Sequence, residues 1–332
     1  MKSYSVGISG VGSFVPEKVL TNFDLSQIVD TNNEWIVERT GIEERRIAAK
    51  DIATSDLATE SALNALKDSK TRPEEIDLII VATATPDHSF PSTACIVQKN
   101  IGATKAAAFD MSVGCTGFVY ALITGANFIQ TGAYEKVLII GAETLSKIVD
   151  WVDRNTCVLF GDGAGSCVLE RCEDGYGILS YELGSDGNNG DALILPAGGS
   201  RMPASIETVT DRLHSIKMDG KEVFKFAVRV MEKASLNVLE NVHLKLEDLD
   251  FLIPHQANVR IIDAARKKLN IDENKVCINL NKYGNMSSAS IPVSLDEVIK
   301  KNRIKKGDLI VMVAFGAGLT WGSIAIKWNR EE

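Results

Sequence analysis

Short apolar runs alternate with segments of helical length along most of the chain. The run at residues 106–111 has the length and composition of a buried strand. After it, apolar positions recur at helical spacing, at Phe118, Ala121, Leu122, Gly125 and Ile129. Strands that alternate with helices of 10 to 15 residues predict an α/β architecture with helices on both faces of its sheets.

The same succession of elements occurs twice. Residues 61–80 align without a gap to residues 234–253, so that an amphipathic helix, an acidic turn and an apolar strand recur in order. We predict two duplicated halves, residues 1–172 and 173–332, packed about a pseudo-twofold axis. Chance similarity between one short helix and one strand is the alternative.

Cys115 has the most suggestive local surroundings in the chain. It lies in Gly114-Cys115-Thr116-Gly117, between the predicted strand and the predicted helix. Free N–H groups and the positive end of a helix dipole favour a thiolate, so a lowered pKa is expected there. A small buried structural cysteine is the alternative, and these residues alone do not decide between the two.

His255 and Asn285 gain interest from the duplication. His255 directly follows an apolar strand, and Asn285 precedes a helix predicted to begin near Ile291. Under the predicted symmetry Asn285 corresponds to Cys115, so the three residues are expected to meet where strands end. Taken alone, Asn285 also fits a turn or a helix N-cap.

Glycine-rich segments give little support to nucleotide binding. Residues 10–15 lack the third glycine of a dinucleotide fingerprint and run into Pro16, and residues 161–165 predict a turn before a strand. The segment Gly316-Ala317-Gly318 follows a strand and offers backbone N–H groups of the kind that form an oxyanion hole.

Composition excludes several classes of protein. The 332 residues are 45% hydrophobic and 24% charged with a net charge of −8, which argues against a general nucleic-acid binder. No signal peptide or membrane-spanning run is evident, so a cytoplasmic protein without membrane insertion is expected. The six cysteines lack zinc-site spacing and predict reduced thiols with no metal.

Taken together, four motifs resemble the thiolase-fold condensing enzymes, specifically the β-ketoacyl-acyl carrier protein synthase III family. They are the segments around Cys115, His255, Asn285 and Ala317, in this order along nearly the whole chain. The resemblance implies that Cys115 takes an acyl group from acyl-CoA. It further implies that malonyl-acyl carrier protein loses carbon dioxide and attacks the acyl-Cys115 thioester, which initiates fatty acid biosynthesis.

The resemblance also assigns roles to individual positions. Cys115, His255 and Asn285 would be catalytic, and the backbone N–H groups of Cys115 and Ala317 would form an oxyanion hole. No cofactor or metal is implied, because the CoA thioester is a substrate. The CoA-binding positions of the family match Trp35, Arg39 and Arg154. Phe90 matches a residue that reaches the acyl pocket of the partner subunit, which implies a homodimer. The positions that contact acyl carrier protein match Lys225, Arg260, Lys267 and Lys268.

Two departures from the family pattern bear on the pocket. Met286 replaces the threonine found in many members, and Ala317 interrupts three glycines, so both are expected to alter pocket shape and primer choice. A degradative thiolase would carry a second cysteine where Phe315 stands. The main alternative is a starter-unit condensing enzyme of secondary metabolism. A catalytically inactive module that binds CoA or a carrier protein, and a cysteine hydrolase, are alternatives with less support from the sequence.

Overall fold

Two β-sheets form the frame of the protein. The computed structural model describes residues 4–331, so the first three residues of the N-terminal apolar pattern lie outside the described part. Its strands are β1 (Val6–Phe14), β2 (Val19–Thr21), β3 (Glu44–Arg46), β4 (Leu78–Ala82), β5 (Ala107–Met111), β6 (Lys136–Thr144), β7 (Asp162–Arg171), β8 (Gly177–Ser185), β9 (Leu193–Ile194), β10 (Lys217–Met218), β11 (Phe251–Pro254), β12 (Leu309–Gly316) and β13 (Thr320–Lys327).

Helices pack between and outside these sheets. They are α1 (Asn22–Ser26), α2 (Asn33–Thr40), α3 (Thr54–Ser69), α4 (Thr93–Ile101), α5 (Gly117–Gln130), α6 (Arg154–Cys157), α7 (Ile206–Thr210), α8 (Gly220–Glu240), α9 (Val259–Leu269), α10 (Leu280–Tyr283) and α11 (Ser290–Lys300). Single 3₁₀ turns at Gly114–Thr116 and Ser287–Ala289 lead into α5 and α11.

The two large sheets have corresponding strand orders. One runs β1-β7-β6-β4-β5 and the other β8-β13-β12-β11, with β4 parallel to its neighbours and β11 parallel to β12. Beside β11, where β5 would have its counterpart, Val276 forms an isolated bridge to Leu252. The recurrence of elements read from the sequence is therefore present in the fold. The boundary between residues 172 and 173 stays a prediction, and it falls in the connection from β7 to β8.

The apolar runs are continuous because central strands are covered on both faces. In β4, Leu78 and Ile80 face the core between the sheets, whereas Ile79 and Val81 face the outer layer that contains α3. Side chains alternate across a strand, so burial of both faces requires an unbroken apolar sequence.

The helices α5 and α11 lie side by side in the layer between the sheets. The α5 helix packs on β6 and β13, and α11 packs on β7 and β11, while α3 and α8 cover the outer faces. Cys115 lies in the turn that leads into α5, and Asn285 lies two residues before the turn that leads into α11. The duplicated architecture therefore brings these two residues toward the same end of the central layer.

Two local expectations are wrong. The run at 106–111 is not a buried strand, because β5 lies at the edge of its sheet with Ala107 and Phe109 exposed. The glycines at 161–165 do not form a turn: β7 begins at Asp162, and a Cβ on Gly165 would lie 2.7 Å from Cβ of Pro292. These glycines allow α11 to approach the sheet closely.

Candidate active site

Cys115 lies in the 3₁₀ turn that precedes α5 and is only 9% exposed. Burial raises the pKa of its thiol to about 12, and the nearby Glu143 carboxylate adds to this increase. The expectation of a lowered pKa is therefore wrong for the protein without substrate. The helix begins two residues later, at Gly117, and loss of water around the thiolate outweighs the effect of the helix end.

The loop after β12 lies directly against Cys115. A Cβ placed on Gly316 would be 2.7 Å from the Cys115 nitrogen, and one on Gly114 would be 3.3 Å from the Ala317 nitrogen. The absence of side chains at these two glycines brings the two backbone segments together. The backbone segments of Cys115 and Ala317 are consequently in contact, so their N–H groups are candidates for an oxyanion hole.

His255 extends from the end of β11 into the interior and is 1% exposed. Its backbone N–H donates to the Val313 carbonyl at 2.8 Å, and its ring lies edge-on to Phe315 at 5.4 Å between centroids. Neither ring nitrogen has a hydrogen-bond partner. Burial lowers the pKa of His255 to about 3, so the imidazole is neutral and one ring N–H remains free to donate.

Asn285 is held in place by its main chain. Its N–H donates to Leu159 O at 2.8 Å, and its carbonyl accepts from Gly161 N at 3.0 Å. The side-chain oxygen accepts from Ser287 N at 2.8 Å, which directs the amide group as a donor. The N-cap alternative does not apply, because α11 begins at Ser290 and its N-cap is Ala289.

Cys115, His255 and Asn285 line one cavity of about 480 Å³. They come from the turn before α5, the end of β11 and the loop before α11, so three segments far apart in sequence converge. The convergence expected from the duplication is present. A buried thiol, a neutral imidazole and an oriented amide in one cavity suit acyl transfer with stabilisation of an oxyanion.

Aromatic and cationic side chains line the outer part of this cavity. Trp35 and Arg39 on α2 are lining residues. The Arg39 and Arg154 guanidinium groups lie 5.2 and 5.1 Å from the centre of the Trp35 ring, and Arg154 also donates to Asp30 O at 3.1 Å. These three residues thus form one surface suited to stacking and to phosphate contacts.

The four predicted carrier-protein contacts separate into two pairs. Lys225 and Arg260 line the 480 Å³ cavity, where the Arg260 guanidinium lies 5.9 Å from the ring centre of Phe224 on α8. Lys267 and Lys268 lie at the opposite end of α9, and Lys268 pairs with Glu232 at 2.7 Å. The cavity therefore includes the first pair and not the second. Lys221 and Phe224 also line its mouth, and the sequence reading missed both.

A second, apolar cavity of about 140 Å³ is also lined by Cys115. Cys115 and Ala317 contribute to its wall, and most other lining side chains are aliphatic or aromatic: Leu145, Ile148, Phe160, Leu193, Ile194, Leu195 and Ile216. None of these seven was singled out from the sequence, because apolar loop residues carry no chemical signature. Phe90 does not line this cavity and is 86% exposed.

The two departures from the family pattern differ in their effect. Ala317 lines the apolar cavity, as expected. Met286 does not line either cavity beside Cys115, because its side chain packs in a small cluster with Ala289 and Val293. Any effect of Met286 on pocket shape therefore passes through residues that it contacts, and the effect itself stays a prediction.

Metal-binding clusters and membrane-spanning helices are both absent from residues 4–331. No group of three or more histidine, cysteine, aspartate or glutamate side chains there is arranged to hold a metal ion. No helix in the same range has the length and hydropathy needed to span a bilayer. All six cysteines are free thiols.

Comparison with known proteins identifies the family. Residues 109–187 match the family model for 3-oxoacyl-[acyl-carrier-protein (ACP)] synthase III, and residues 239–328 match the model for its C-terminal part. A β-ketoacyl-[acyl-carrier-protein] synthase III from Caldanaerobacter subterraneus subsp. tengcongensis is 63% identical over 98% of both chains. The chain belongs to this family. It is a condensing enzyme of the acyltransferase class that initiates fatty acid synthesis.

Solved structures agree on the thiolase-like fold. The crystal structure of the synthase III from Aquifex aeolicus VF5 has a TM-score of 0.90 and 49% identity, covering 97% of this chain and all of that one. The priming β-ketosynthase of the R1128 polyketide pathway has a TM-score of 0.92 and 32% identity, covering 100% and 98%. The fold is thus shared by both pathways, whereas the higher identities favour fatty acid synthesis over the secondary-metabolite alternative.

Proposed function

We propose that this synthase joins an acyl-CoA primer to malonyl-acyl carrier protein through an acyl-Cys115 intermediate. The observation that carries the proposal is the convergence of Cys115, His255 and Asn285 in one cavity, with Cys115 also in the wall of a second, apolar cavity. The first cavity has room for a pantetheine arm, and the second for the acyl chain. The thioester then lies between them, at Cys115.

The residue types account for each step. The Cys115 thiolate attacks the acyl-CoA carbonyl, and CoA leaves as its thiolate. Decarboxylation of the malonyl group then places negative charge on its thioester oxygen. The ring N–H of neutral His255 and the side-chain amide of Asn285 donate hydrogen bonds to this oxygen. The carbanion attacks the acyl-Cys115 carbonyl, whose oxyanion is held by the N–H groups of Cys115 and Ala317, and collapse expels the Cys115 thiolate.

The outer cavity supports the assignment of the CoA and carrier sites. Trp35, Arg39 and Arg154 would bind the adenine and phosphates of CoA. Lys225 and Arg260, on a chain with a net charge of −8, provide a local cationic surface for an acidic carrier protein. Lys267 and Lys268 would act farther from the entrance, in orientation of the carrier. No cofactor or metal enters this scheme.

A homodimer would complete the acyl pocket. The loop that begins at Ala84, in the wall of the apolar cavity, leads to the exposed Phe90. The edge strand β5 pairs with β4, the strand that precedes this loop. Its other edge offers backbone groups to a second copy of the chain. Pairing through β5 would place Phe90 of each subunit toward the acyl cavity of the other. We further propose that the enzyme acts in the cytoplasm.

Intact-mass measurements test this function. Incubation with acetyl-CoA should add one acetyl group to the wild type and to Cys95→Ser, a control that removes an exposed thiol, but none to Cys115→Ser. Addition of malonyl-acyl carrier protein should then release a 3-oxoacyl product. No adduct, or an adduct on Cys115→Ser, contradicts the mechanism; an adduct that this acceptor does not discharge favours the secondary-metabolite alternative.

The roles of His255 and Asn285 require a separate comparison. His255→Ala and Asn285→Ala should retain acetylation of Cys115 and lose malonyl decarboxylation, by about 100-fold or more. Acetylation is read by mass and decarboxylation by release of carbon dioxide. Equal loss of both steps would contradict the division of roles.

A further inference from the structure

Two buried threonines join the two segments that carry the proposed oxyanion N–H groups. Thr116 directly follows Cys115, and Thr320 begins β13, three residues after Ala317. Their Oγ1 atoms lie 2.7 Å apart, a hydrogen-bond distance, although the two residues are 204 positions apart in the sequence. Thr116 is fully buried and Thr320 is 8% exposed, so bulk water does not compete for this bond. The proposed mechanism gives this threonine pair no function.

Thr116 holds the turn in which Cys115 lies. Its hydroxyl donates to the Val113 carbonyl oxygen at 2.6 Å, and its backbone N–H donates to the same oxygen at 3.3 Å. Gly114, inside this turn, has a φ of +51°, a conformation that residues other than glycine rarely adopt. The two bonds to one carbonyl oxygen close the turn, and the peptide group that carries the Cys115 N–H lies within it.

Thr320 holds the loop that contains Ala317. Its hydroxyl donates to the Ala317 carbonyl oxygen at 2.9 Å. A hydroxyl group has a single proton, and that of Thr116 goes to Val113 O, its shortest contact. The Thr320 proton is therefore shared between Ala317 O and Thr116 Oγ1. One side chain thus links the Ala317 residue to the turn that contains the nucleophile.

The main chains of the two segments also touch, at two glycines. A Cβ on Gly114 would lie 3.3 Å from the Ala317 nitrogen, and a Cβ on Gly316 would lie 2.7 Å from the Cys115 nitrogen. Van der Waals contact of this kind limits how closely the segments approach, but it does not prevent them from sliding past each other. A hydrogen bond is directional, so the threonine pair can fix their relative position.

We propose that Thr116 and Thr320 are positioning residues that align the N–H groups of Cys115 and Ala317 on one oxyanion. This inference rests on the oxyanion site of the proposed function. Neither threonine lines either cavity beside the thiol, so both act through the peptide groups that they hold. Two donors stabilise one oxyanion only if both point to it, and a displacement of about 1 Å costs about 100-fold in rate.

Acetylation and alkylation of Cys115 distinguish this role from a structural one. Acetylation passes through a tetrahedral oxyanion, whereas alkylation by iodoacetamide is a displacement at a saturated carbon and forms none. Thr320→Val keeps the shape of the side chain and removes the hydroxyl. Acetylation by acetyl-CoA, followed by intact mass, should slow by about tenfold or more, while alkylation at the same pH keeps the wild-type rate. Thr320→Ser, which retains the hydroxyl, should restore acetylation.

A double-mutant cycle tests whether the two hydroxyls act together. Thr116→Val removes the same bond from the other side and should also slow acetylation by about tenfold or more. Because both changes break one link, the double variant should be no slower than the slower single variant, within about twofold. Ser61→Ala, which removes a buried hydroxyl bonded to Ser166, is the matched control and should keep both wild-type rates.

Three outcomes would overturn the proposal. An equal fall in acetylation and alkylation would mean that the thiol itself has moved or ionises differently. A lower melting temperature with wild-type acetylation would mean that the threonine pair serves stability alone. Losses that multiply in the double variant would mean that the two hydroxyls act independently of each other.

Acylation by p-nitrophenyl acetate separates this inference from the proposed function. This activated ester requires the oxyanion site but no recognition of CoA, and release of nitrophenolate measures the reaction. A wild type that the ester acylates and acetyl-CoA does not contradicts the proposed function, and slower ester acylation in Thr320→Val then still supports the threonine pair. Wild-type ester acylation in Thr320→Val overturns the pair, whichever acyl donor the enzyme accepts. A wild type that neither donor acylates contradicts both proposals.

Discussion

The Arg45 guanidinium donates a hydrogen bond of 2.7 Å to the carbonyl oxygen of Val158. Arg45 is fully buried and also donates to Leu20 O at 3.1 Å and to the side chain of Asn22 at 2.8 Å. Burial lowers the pKa of Arg45 to about 10, so it remains charged at neutral pH. The segment after Val158 holds the backbone of Asn285, and a buried cation thus supports the loop that carries Asn285.

Loss of this cation should destabilise the protein. Arg45→Met would leave three buried acceptors without a donor, and we expect the free energy of unfolding to fall by about 3 kcal/mol. Urea denaturation at pH 7 measures it. Arg72→Met is the control, because the Arg72 side chain is 78% exposed and pairs with Glu75 at the surface. Equal stability of the two variants would contradict a structural role for Arg45.

Burial of neutral His255 predicts a specific pH dependence of stability. With a pKa of about 3 in the folded protein and 6.5 when unfolded, the unfolded chain binds more protons between these values. This contribution is complete above pH 6.5 and is lost as pH falls toward 3. From pH 7 to pH 5 the wild type should lose about 2 kcal/mol that His255→Gln does not lose.

Urea denaturation at the two pH values checks this difference. His243→Asn serves as the control, since His243 is exposed and has a φ of +58°, a conformation that asparagine accepts. The control should retain the wild-type loss. A wild-type loss in His255→Gln would show that His255 is protonated to the same extent in both states.

The sequence indicated the three candidate catalytic positions because each combines a distinctive polar residue with a neighbouring strand or helix pattern. His255 directly follows an apolar run, Cys115 lies between a strand and a helix, and Asn285 precedes a helix; the internal repeat relates Cys115 to Asn285. The pKa of the Cys115 thiol was not predictable in the same way. It depends on burial and on Glu143, which is distant in sequence and is brought near by the sheet.

The sequence did not predict the apolar cavity or the position of β5 at the sheet edge, for a related reason. Leu145, Ile194 and Ile216 belong to separate segments and become a pocket only by packing. An apolar run such as β5 has the same composition whether another strand of the chain or a second copy covers it. Patterns along the chain therefore identified the elements, whereas what covers them depends on the tertiary and quaternary contacts.

The volume of the apolar cavity should set primer length. Ile194 lines this cavity and is 38% exposed, so a larger side chain can be accommodated there at the expense of cavity volume. In Ile194→Trp, we expect kcat/KM for hexanoyl-CoA to fall by about tenfold or more relative to acetyl-CoA. Ile206→Trp, at an 89% exposed position outside the cavity, is the control and should keep the wild-type ratio. An unchanged ratio in Ile194→Trp would place the acyl chain elsewhere.

Phe109 tests the proposed dimer most directly, because it is the central residue of β5 and is 36% exposed. A twofold axis beside the middle of β5 would place the two Phe109 residues opposite each other. Phe109→Glu would remove an aromatic contact and set two like charges side by side. The dissociation constant of the dimer should therefore rise by about 100-fold or more. Light scattering during size-exclusion chromatography should show a dimeric wild type and a monomeric variant. Phe23→Glu, at a 72% exposed position in α1, should remain dimeric. A dimeric Phe109→Glu would exclude pairing through β5, and with it the route by which Phe90 reaches the other subunit.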